Sequence, residues 1–339
     1  MAAIDNVKTM KAVVCDQHGW PQPLLVRETS RPQITADRML VKIYAAGVNF
    51  ADMLSIGGSY QEKLTPPFIP GAELCGRVIE IGADVTGYAP GDLVMAQVEN
   101  GAYAEYVLVD PKRAALVPAG MSIQEAAGFY IPYGTAYAAL VDRARLRPGE
   151  TVLITGAGGA VGRAALEVAR AAGATVIAVA RGELRRAELR AAGAEAAIGD
   201  DDLRTSLAEV TSGAGVDIVL DLVGGDVARQ AMRSLRFEGR LILAGFASGE
   251  VPLLPANHVL VKNIDICGFF WGPYQFLRQE ATRIAMAELS RMYREKRLKP
   301  RVAASYPLDR LADAFEQIGR RTHTGKLVVD IAESETERA

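Results

Sequence analysis

The chain has 339 residues, of which 50% are hydrophobic and 23% are charged, the balance of a folded α/β protein. At roughly 100 to 200 residues per domain, this length favours two domains and excludes a disulfide-stapled miniprotein. Because 38 basic residues nearly balance 40 acidic ones, the formal charge of −2 argues against nucleic acid as a main partner.

The longest apolar runs, such as residues 151–155 and 240–247, are the size of strands. They are far short of the ~20 residues that a membrane span needs, so no membrane association is expected. The N-terminal stretch MAAIDNVKTMKAVV lacks a basic segment followed by an apolar one, which argues against a signal peptide. We therefore expect a cytoplasmic protein.

Cysteine and histidine occur three times each and are scattered, without CxxC, HxxxH or HExxH spacing. A disulfide framework or a metal site needs such residues in recognisable clusters. The sequence therefore predicts neither.

Residues 10–130 contain short β-branched runs separated by Gly and Pro, which is typical of a twisted, mostly antiparallel domain. The runs are MKAVVC, MLVKIYAAGV, AELCGRVIEIG, GDLVMAQV and AEYVLVD. The pattern changes near Ser122, because Ser122 with Glu125 three residues later forms a capping box at a helix start.

Helices and strands then alternate, beginning with a strand over residues 150–156 and including a strand over residues 239–246. This alternation predicts a doubly wound parallel sheet. A long helix is predicted over residues 277–296, after which the β style of the first region returns. We infer an α/β fold in which a Rossmann unit (131–296) is inserted as one block in a mostly β domain (1–130 plus 297–339).

The strongest chemical signal is TGAGGAVGRAA, residues 155–165, between a predicted strand and a predicted helix. Glycines there let the backbone turn tightly and approach a pyrophosphate, whose charge the helix N-terminus favours. The motif therefore predicts a dinucleotide site.

The residue at the end of the second strand indicates which dinucleotide binds. A carboxylate there binds the ribose 2′-hydroxyl of NAD, whereas an arginine accommodates the 2′-phosphate of NADP. This chain has Arg181, with Arg185 and Arg186 one turn later, so NADPH is favoured. Glu183, the one nearby acid in VIAVARGELRR, leaves NAD as the alternative.

With these features located, the chain resembles the medium-chain dehydrogenase/reductase superfamily and, more narrowly, the NADPH:quinone oxidoreductase (zeta-crystallin-like) family. The resemblance runs from MKAVVC to GKLVVDI and includes AAGVNFADML, GSYQEKLTPPFIPGAELCGRV, YGTAYAAL, GVDIVLDLVGGD and GRLILAGFASGE. It implies a GroES-like catalytic domain around the Rossmann unit.

Zinc alcohol dehydrogenases of that superfamily have a cysteine ligand where this chain has Asn49, and a histidine where it has Ala72. The four-cysteine structural lobe is also absent from the sequence. Since zinc needs thiolate or imidazole ligands in tetrahedral number, the resemblance implies a zinc-free enzyme. Hydride transfer from NADPH to an electron-poor acceptor is the chemistry that remains.

The resemblance also implies roles for particular residues. Asn49 is expected near the nicotinamide and the substrate, and Tyr60 is the candidate hydroxyl donor to a developing oxyanion, against packing in a surface loop. Lys326 either reaches the cofactor or is an ordinary surface lysine. The other expected cofactor-binding residues are Thr135, Gly158, Gly159, Ala160, Val161, Arg181, Arg185, Phe246, Gly268 and Phe270.

Two features of this chain depart from the family pattern. Leu54 stands where relatives often have a second tyrosine, and an acidic stretch (199–202) stands where some relatives contact the 2′-phosphate through a tyrosine. Arg181 is therefore expected to carry more of the phosphate recognition.

A quinone is the favoured acceptor, and an activated C=C bond of an enal, enone or enoyl thioester is the alternative. A third reading is a non-catalytic NADPH-binding protein with a structural or regulatory role. The resemblance implies a homodimer through edge strands of the Rossmann sheet, with residues 239–246 and 251–271 compatible with that edge.

Overall fold

The structure, a computed structural model, describes residues 8–22 and 24–332. The first seven residues, on which part of the leader prediction rests, lie outside this range. The chain forms two compact units: unit 1 comprises Met1–Tyr130, Arg301–Thr322 and Lys326–Ala339, and unit 2 comprises Ile131–Pro300 and His323–Gly325. In sequence, unit 2 is thus inserted between segments of unit 1.

Unit 1 is mostly β, and its elements are numbered here along the whole chain. They are β1 (Thr9–Val13), β2 (Val26–Ser30), β3 (Met39–Val48), α1 (Phe50–Ile56), β4 (Glu73–Ile81), β5 (Leu93–Gln97), β6 (Tyr106–Val109), β7 (Ala114–Leu116), α2 (Ile123–Ala127), β14 (Val302–Pro307), α11 (Leu311–Arg320) and β15 (Lys326–Asp330). Short 3₁₀ turns occupy Pro111–Arg113 and Leu308–Arg310.

Seven of these strands form one sheet in the order β14-β15-β3-β4-β5-β7, with β6 also paired to β3. The pairs are antiparallel except for β14 with β15. Strand β3 is buried along nearly its whole length because it lies between β15 and β4, and side chains on both of its faces are covered.

Of the two short helices α1 and α2 in unit 1, the sequence predicted only α2. The capping box at Ser122 and Glu125 is confirmed, since it begins α2. Helix α1 was missed, although Asn49 and Asp52 form a second capping box at its start. This helix has only seven residues and directly follows a predicted strand, MLVKIYAAGV, so it gave no helical periodicity of its own.

Unit 2 alternates helices and strands as predicted. Its elements are α3 (Tyr130–Tyr137), β8 (Thr151–Ile154), α4 (Ala160–Ala171), β9 (Thr175–Val179), α5 (Glu183–Ala191), β10 (Ala196–Ile198), α6 (Leu203–Val210), β11 (Val216–Asp221), α7 (Gly225–Arg233), β12 (Leu235–Leu243), α8 (Ala256–Lys262), β13 (Asp265–Gly268), α9 (Trp271–Leu277) and α10 (Gln279–Arg294). A π-helical turn, Ala138–Arg143, follows α3.

Its six strands form a parallel sheet in the order β10-β9-β8-β11-β12-β13. Apolar side chains of the strands and of α6 and α7 form the core of this unit. The Rossmann fold is therefore confirmed. The run at 239–246 belongs to β12, which lies inside the sheet, whereas the predicted segment 251–271 contains β13, one of the two edge strands with β10.

The long helix predicted over residues 277–296 is confirmed as α10 (Gln279–Arg294), which starts two residues later than predicted. Helix α9 ends at Leu277, and α10 begins after Arg278, whose backbone (φ −128°, ψ 47°) is not helical. Tyr274 holds α9 in place, because its hydroxyl donates to Asp142 (2.8 Å) and its ring packs against Phe269. The two helices are therefore separate, and the helical pattern of residues 279–294 is retained in α10.

Candidate active site

The glycine loop follows β8 in the parallel sheet. Gly156 has a left-handed backbone (φ +63°), and a Cβ on Gly162 would lie 2.4 Å from the Gly156 carbonyl oxygen. Both positions therefore require glycine. Helix α4 begins at Ala160 with Gly159 as its N-cap, so its N-terminal N–H groups adjoin this turn. The cradle fits a dinucleotide pyrophosphate.

A buried pair fixes the base of this loop. The Thr155 hydroxyl donates to Asp221 Oδ1 (2.6 Å), and Asp221 also accepts from the backbone N–H of Gly224 (2.9 Å). Burial raises the pKa of Asp221, while these hydrogen bonds oppose the shift. The pair joins the ends of β8 and β11, and no sequence pattern indicated it because the two residues are 66 positions apart in the chain.

The predicted 2′-phosphate residues lie after β9. Arg181 Nε donates to Asp200 Oδ2 at 2.7 Å, and the Arg181 side chain remains 62% exposed. Thus the acidic stretch that departs from the family pattern supplies the partner of Arg181. No hydrogen bond of the terminal Arg181 nitrogens was found within residues 8–22 and 24–332.

Arg185 provides a second guanidinium beside Arg181. Burial and the positive charge of Arg181 both lower the pKa of Arg185, and a Cβ on Gly158 would lie 3.3 Å from Arg185 Cδ. Glu183, the alternative ribose ligand, instead accepts hydrogen bonds from Arg186 and Arg190. Glu183 is therefore engaged with arginines other than Arg181 and Arg185.

Three further predicted cofactor residues follow strands of the same parallel sheet. Phe246 follows β12 and is 36% exposed, Gly268 ends β13, and Phe270 is the 40%-exposed N-cap of α9. Carboxyl ends of parallel strands meet at one edge, where ligands of such sheets bind. These residues thus share the edge with the glycine loop and Arg181.

Helix α3 carries Thr135, which is 7% exposed. Next to it, Gly134 allows close packing, since a Cβ there would lie 2.6 Å from the Trp271 ring. Tyr133 is 3% exposed, and its hydroxyl donates a hydrogen bond to the Glu167 carboxylate (2.8 Å) in the interior of unit 2.

The main polar cluster of unit 1 contains Asn49, Glu73 and Lys326. Lys326 Nζ lies 2.6 Å from Asn49 Oδ1 and 2.6 Å from Glu73 Oε2. Lys326 is 4% exposed and Glu73 is fully buried, so the surface-lysine alternative for Lys326 is wrong. Glu73 was missed as a partner, although it directly follows Ala72.

A second group, Asp52 and Tyr103, adjoins Asn49. Asp52 Oδ2 accepts from the backbone N–H of Asn49 (2.8 Å) and from the Tyr103 hydroxyl (2.7 Å). Burial raises the pKa of Asp52 to about 6, and both hydrogen bonds oppose that shift. Asn49 is therefore held through its backbone as well as through its side chain.

Tyr60 lies just beyond α1, where its backbone N–H donates to the Leu54 carbonyl (3.1 Å). The side chain is partly buried. Burial, followed by the negative charges of Glu62 and Asp52, raises the pKa of Tyr60 to about 12. The phenol therefore keeps its proton at neutral pH, as a hydrogen-bond donor must.

Among residues 8–22 and 24–332, no group of three or more His, Cys, Asp or Glu is placed to hold a metal ion. In the same part of the chain, no helix is both long and apolar enough to cross a bilayer.

Two family models match the chain. Residues 35–119 match "Alcohol dehydrogenase GroES-like domain", and residues 160–291 match "Zinc-binding dehydrogenase". A GroES-like domain combined with a Rossmann sheet defines a medium-chain dehydrogenase/reductase.

Individual relatives narrow this class. The chain is 36% identical, over 95% of its length and 89% of the relative's, to "Quinone oxidoreductase-like protein 2 homolog" of Nematostella vectensis. It is 34% identical over 87% of its length to 14% of a Mycolicibacterium smegmatis "Mycocerosic acid synthase-like polyketide synthase". A mycobacterial protein solved with NADPH superposes with a TM-score of 0.87 at 28% identity, covering 95% of this chain and 99% of that one. The chain belongs to the quinone oxidoreductase family of the medium-chain dehydrogenase/reductases, and it is an oxidoreductase of that class.

Proposed function

We propose that the protein is a zinc-independent reductase that uses NADPH to reduce a quinone. The observation that carries the choice of cofactor is the pair Arg181 and Arg185 beside the glycine cradle. An NADP 2′-phosphate would receive charge-assisted hydrogen bonds from two guanidinium groups, whereas Glu183 is engaged with other arginines. NADPH supplies the hydride in this reaction.

The chain's own residues provide binding and electrostatics. The glycine loop and the start of α4 hold the pyrophosphate, with backbone N–H groups of Gly158, Gly159, Ala160 and Val161 as donors. Asn49 and Tyr60 are hydrogen-bond donors for the acceptor oxygen, on which negative charge builds. A Tyr60 with its pKa near 12 stays protonated and can donate throughout the neutral range.

The Lys326 ammonium beside Asn49 and Glu73 supports zinc independence. Their oxygens bind the Lys326 ammonium, whose positive charge opposes a metal ion at the same place. We expect elemental analysis of the purified protein to find no stoichiometric zinc and chelator treatment to leave turnover unchanged. Stoichiometric zinc that is lost together with activity would contradict this.

The acceptor is tested by following NADPH oxidation with two panels. Benzoquinone and phenanthrenequinone form one panel, and an enone with crotonyl-CoA forms the other. We expect turnover with the quinones, as the relatives' name suggests. A preference for the alkenes would instead support C=C reduction, which the similarity to a polyketide synthase segment favours. Tight NADPH binding without any turnover would favour a non-catalytic role.

The cofactor choice is tested with Arg181→Ala. Hydrogen bonds to charged groups contribute roughly 1.5–3 kcal/mol, so the Kd for NADPH should rise about tenfold to hundredfold. The Kd for NADH should change little. Arg190→Ala is the matched control, because Arg190 lies on α5 but pairs with Glu183. Equal losses for NADPH and NADH would show that Arg181 only supports the loop.

We further propose a homodimer formed through the edge strand β13. The segment between β12 and β13 exposes large apolar side chains, including Leu253 (89%) and Leu260 (78%). Such exposure in a folded unit favours burial against a second copy. Light scattering should show a dimer at micromolar concentration, and Ile266→Lys in β13 should produce a folded monomer. A monomeric native protein would refute the proposal.

A further inference from the structure

The Lys326 ammonium fixes the orientation of the Asn49 amide. An ammonium group can only donate hydrogen bonds, so the atom at 2.6 Å from it must be the amide oxygen. On the other side, Asn49 Nδ2 donates to the Gly47 carbonyl at 3.3 Å. One N–H of the amide is thereby used, and no acceptor for its second N–H was found within residues 8–22 and 24–332.

The fold provides a close-fitting channel for this lysine. A Cβ on Gly47 would lie 2.6 Å from Glu73 Oε2 and 2.7 Å from Lys326 Cε, and a Cβ on Gly128 would lie 2.5 Å from Lys326 Cγ. Two glycines are thus needed for the lysine stem to pass. The ammonium then meets the fully buried carboxylate of Glu73, which balances its charge.

Burying an ion pair gains little stability over apolar side chains of similar size. The buried pair of Lys326 and Glu73 is therefore better explained by its orientation of the Asn49 amide. The Asn49 backbone is held by Asp52 and its amide oxygen by Lys326, so the side chain cannot rotate to present an acceptor. The amide therefore directs its second N–H, rather than its oxygen, to an external group.

We infer that Lys326 is a positioning residue that locks Asn49 as a hydrogen-bond donor to the oxygen of the electron acceptor. The inference rests on the proposed function, and it specifies the substrate class as a carbonyl compound conjugated to the atom that receives the hydride. The hydride carries two electrons from NADPH, which becomes NADP⁺. The acceptor oxygen gains the negative charge, is stabilised by Asn49, and then takes a proton from water.

The test uses Lys326→Met combined with Glu73→Gln, so that no unpaired charge remains buried. Removing a preorganised donor to a developing oxyanion typically lowers kcat roughly 100-fold to 1,000-fold, and we expect a mispositioned donor to cost about 10-fold to 100-fold. The Kd for NADPH, measured by fluorescence, should stay within about twofold, since binding does not require this donor. Lys262→Met is the matched control. That lysine is also partly buried and donates to the carbonyls of Arg233 and Leu235, so its loss should reduce stability without lowering kcat.

A cycle with Asn49→Ala separates positioning from a general structural role. If Lys326 acts through Asn49, adding the Lys326 and Glu73 changes to Asn49→Ala should reduce kcat no further. Independent, multiplying losses would overturn the inference, as would an unchanged kcat in the Lys326→Met/Glu73→Gln protein.

A readout without cofactor or substrate is available, because the sequence has only five asparagines. With ¹⁵N-asparagine labelling, the side-chain NH₂ signals of Asn49 should shift in the Lys326→Met/Glu73→Gln protein and not in Lys262→Met. Unshifted signals would show that Lys326 does not orient the amide. Wild-type protein that reduces no acceptor would refute the proposed function, and the NMR measurement would still decide the orientation.

Discussion

The buried carboxyl of Asp52 makes the stability of unit 1 depend on pH. Asp52 is 4% exposed and accepts both of its hydrogen bonds through a single oxygen, Oδ2. In Asp52→Asn, the amide oxygen can accept both bonds, so the substitution removes the charge and keeps the contacts. It therefore isolates the cost of burying a carboxylate.

The magnitude follows from the pKa. Burial raises the pKa of Asp52 from 3.8 to about 6, so the folded state binds the proton more tightly than the unfolded chain. The resulting stability is fully present below the unfolded pKa and is lost as the pH rises through the folded pKa. At 1.36 kcal/mol per pKa unit, the loss is about 3 kcal/mol in total and about 1.4 kcal/mol between pH 5 and pH 8.

The assay can be confined to unit 1. The chain has two tryptophans, and Trp20 packs against Phe315 (5.3 Å between ring centres), which in turn packs against Tyr103 (6.1 Å). In a Trp271→Phe background, fluorescence during urea unfolding reports on this cluster beside Asp52. The free energy of unfolding of wild type should fall, relative to Asp52→Asn, by about 1.4 kcal/mol from pH 5 to pH 8.

Asp37→Asn provides the control within the same unit. A hydrogen bond from Thr35 lowers the pKa of the exposed Asp37 carboxyl, so any pH dependence there has the opposite sign. If the difference between wild type and Asp52→Asn were constant with pH, or rose in favour of wild type, the argument from burial would be refuted.

Three further predictions concern stability. Gly162→Ala places a Cβ 2.4 Å from a backbone oxygen, so it should destabilise unit 2 by roughly 1–3 kcal/mol and weaken NADPH binding, measured by thermal melting and fluorescence titration. Gly319→Ala meets open space near the end of α11 and should instead raise stability by about 0.5–1 kcal/mol; a loss would contradict the helix assignment. Arg240→Lys removes a two-pronged pair with the partly buried Glu150 (3.0 and 2.7 Å) and should cost about 1–3 kcal/mol in urea unfolding, whereas a neutral result would mean that the pair is solvent-screened.

Much of the fold was predictable because its signals are local. The alternation of buried strands with amphipathic helices identified the parallel sheet, and the glycine loop between β8 and α4 predicted a nucleotide site at its edge. The proposed role of Arg181 was likewise inferred from its place at the end of the second strand of that unit. Each of these inferences needs only residues that are close together in the chain.

Other features depended on contacts that periodicity does not encode. Helix α9 and the break at Arg278 were not predicted, and Tyr274 of α9 donates to Asp142, which lies 132 residues away in the chain. Similarly, of the two segments expected at the sheet edge only 251–271 reaches it, through β13, because strand order is set by packing between distant segments.

The sequence by itself determined the family, the Rossmann sheet and the residue types available for chemistry. Only the tertiary structure decided which of these residues are in contact. Lys326 donates to Asn49, which lies 277 positions away in the chain, and Arg181 donates to the Asp200 carboxylate. The physical reason is that sequence patterns report the burial and backbone preferences of neighbours. A hydrogen bond between distant side chains exists only after the sheets have brought their strands together.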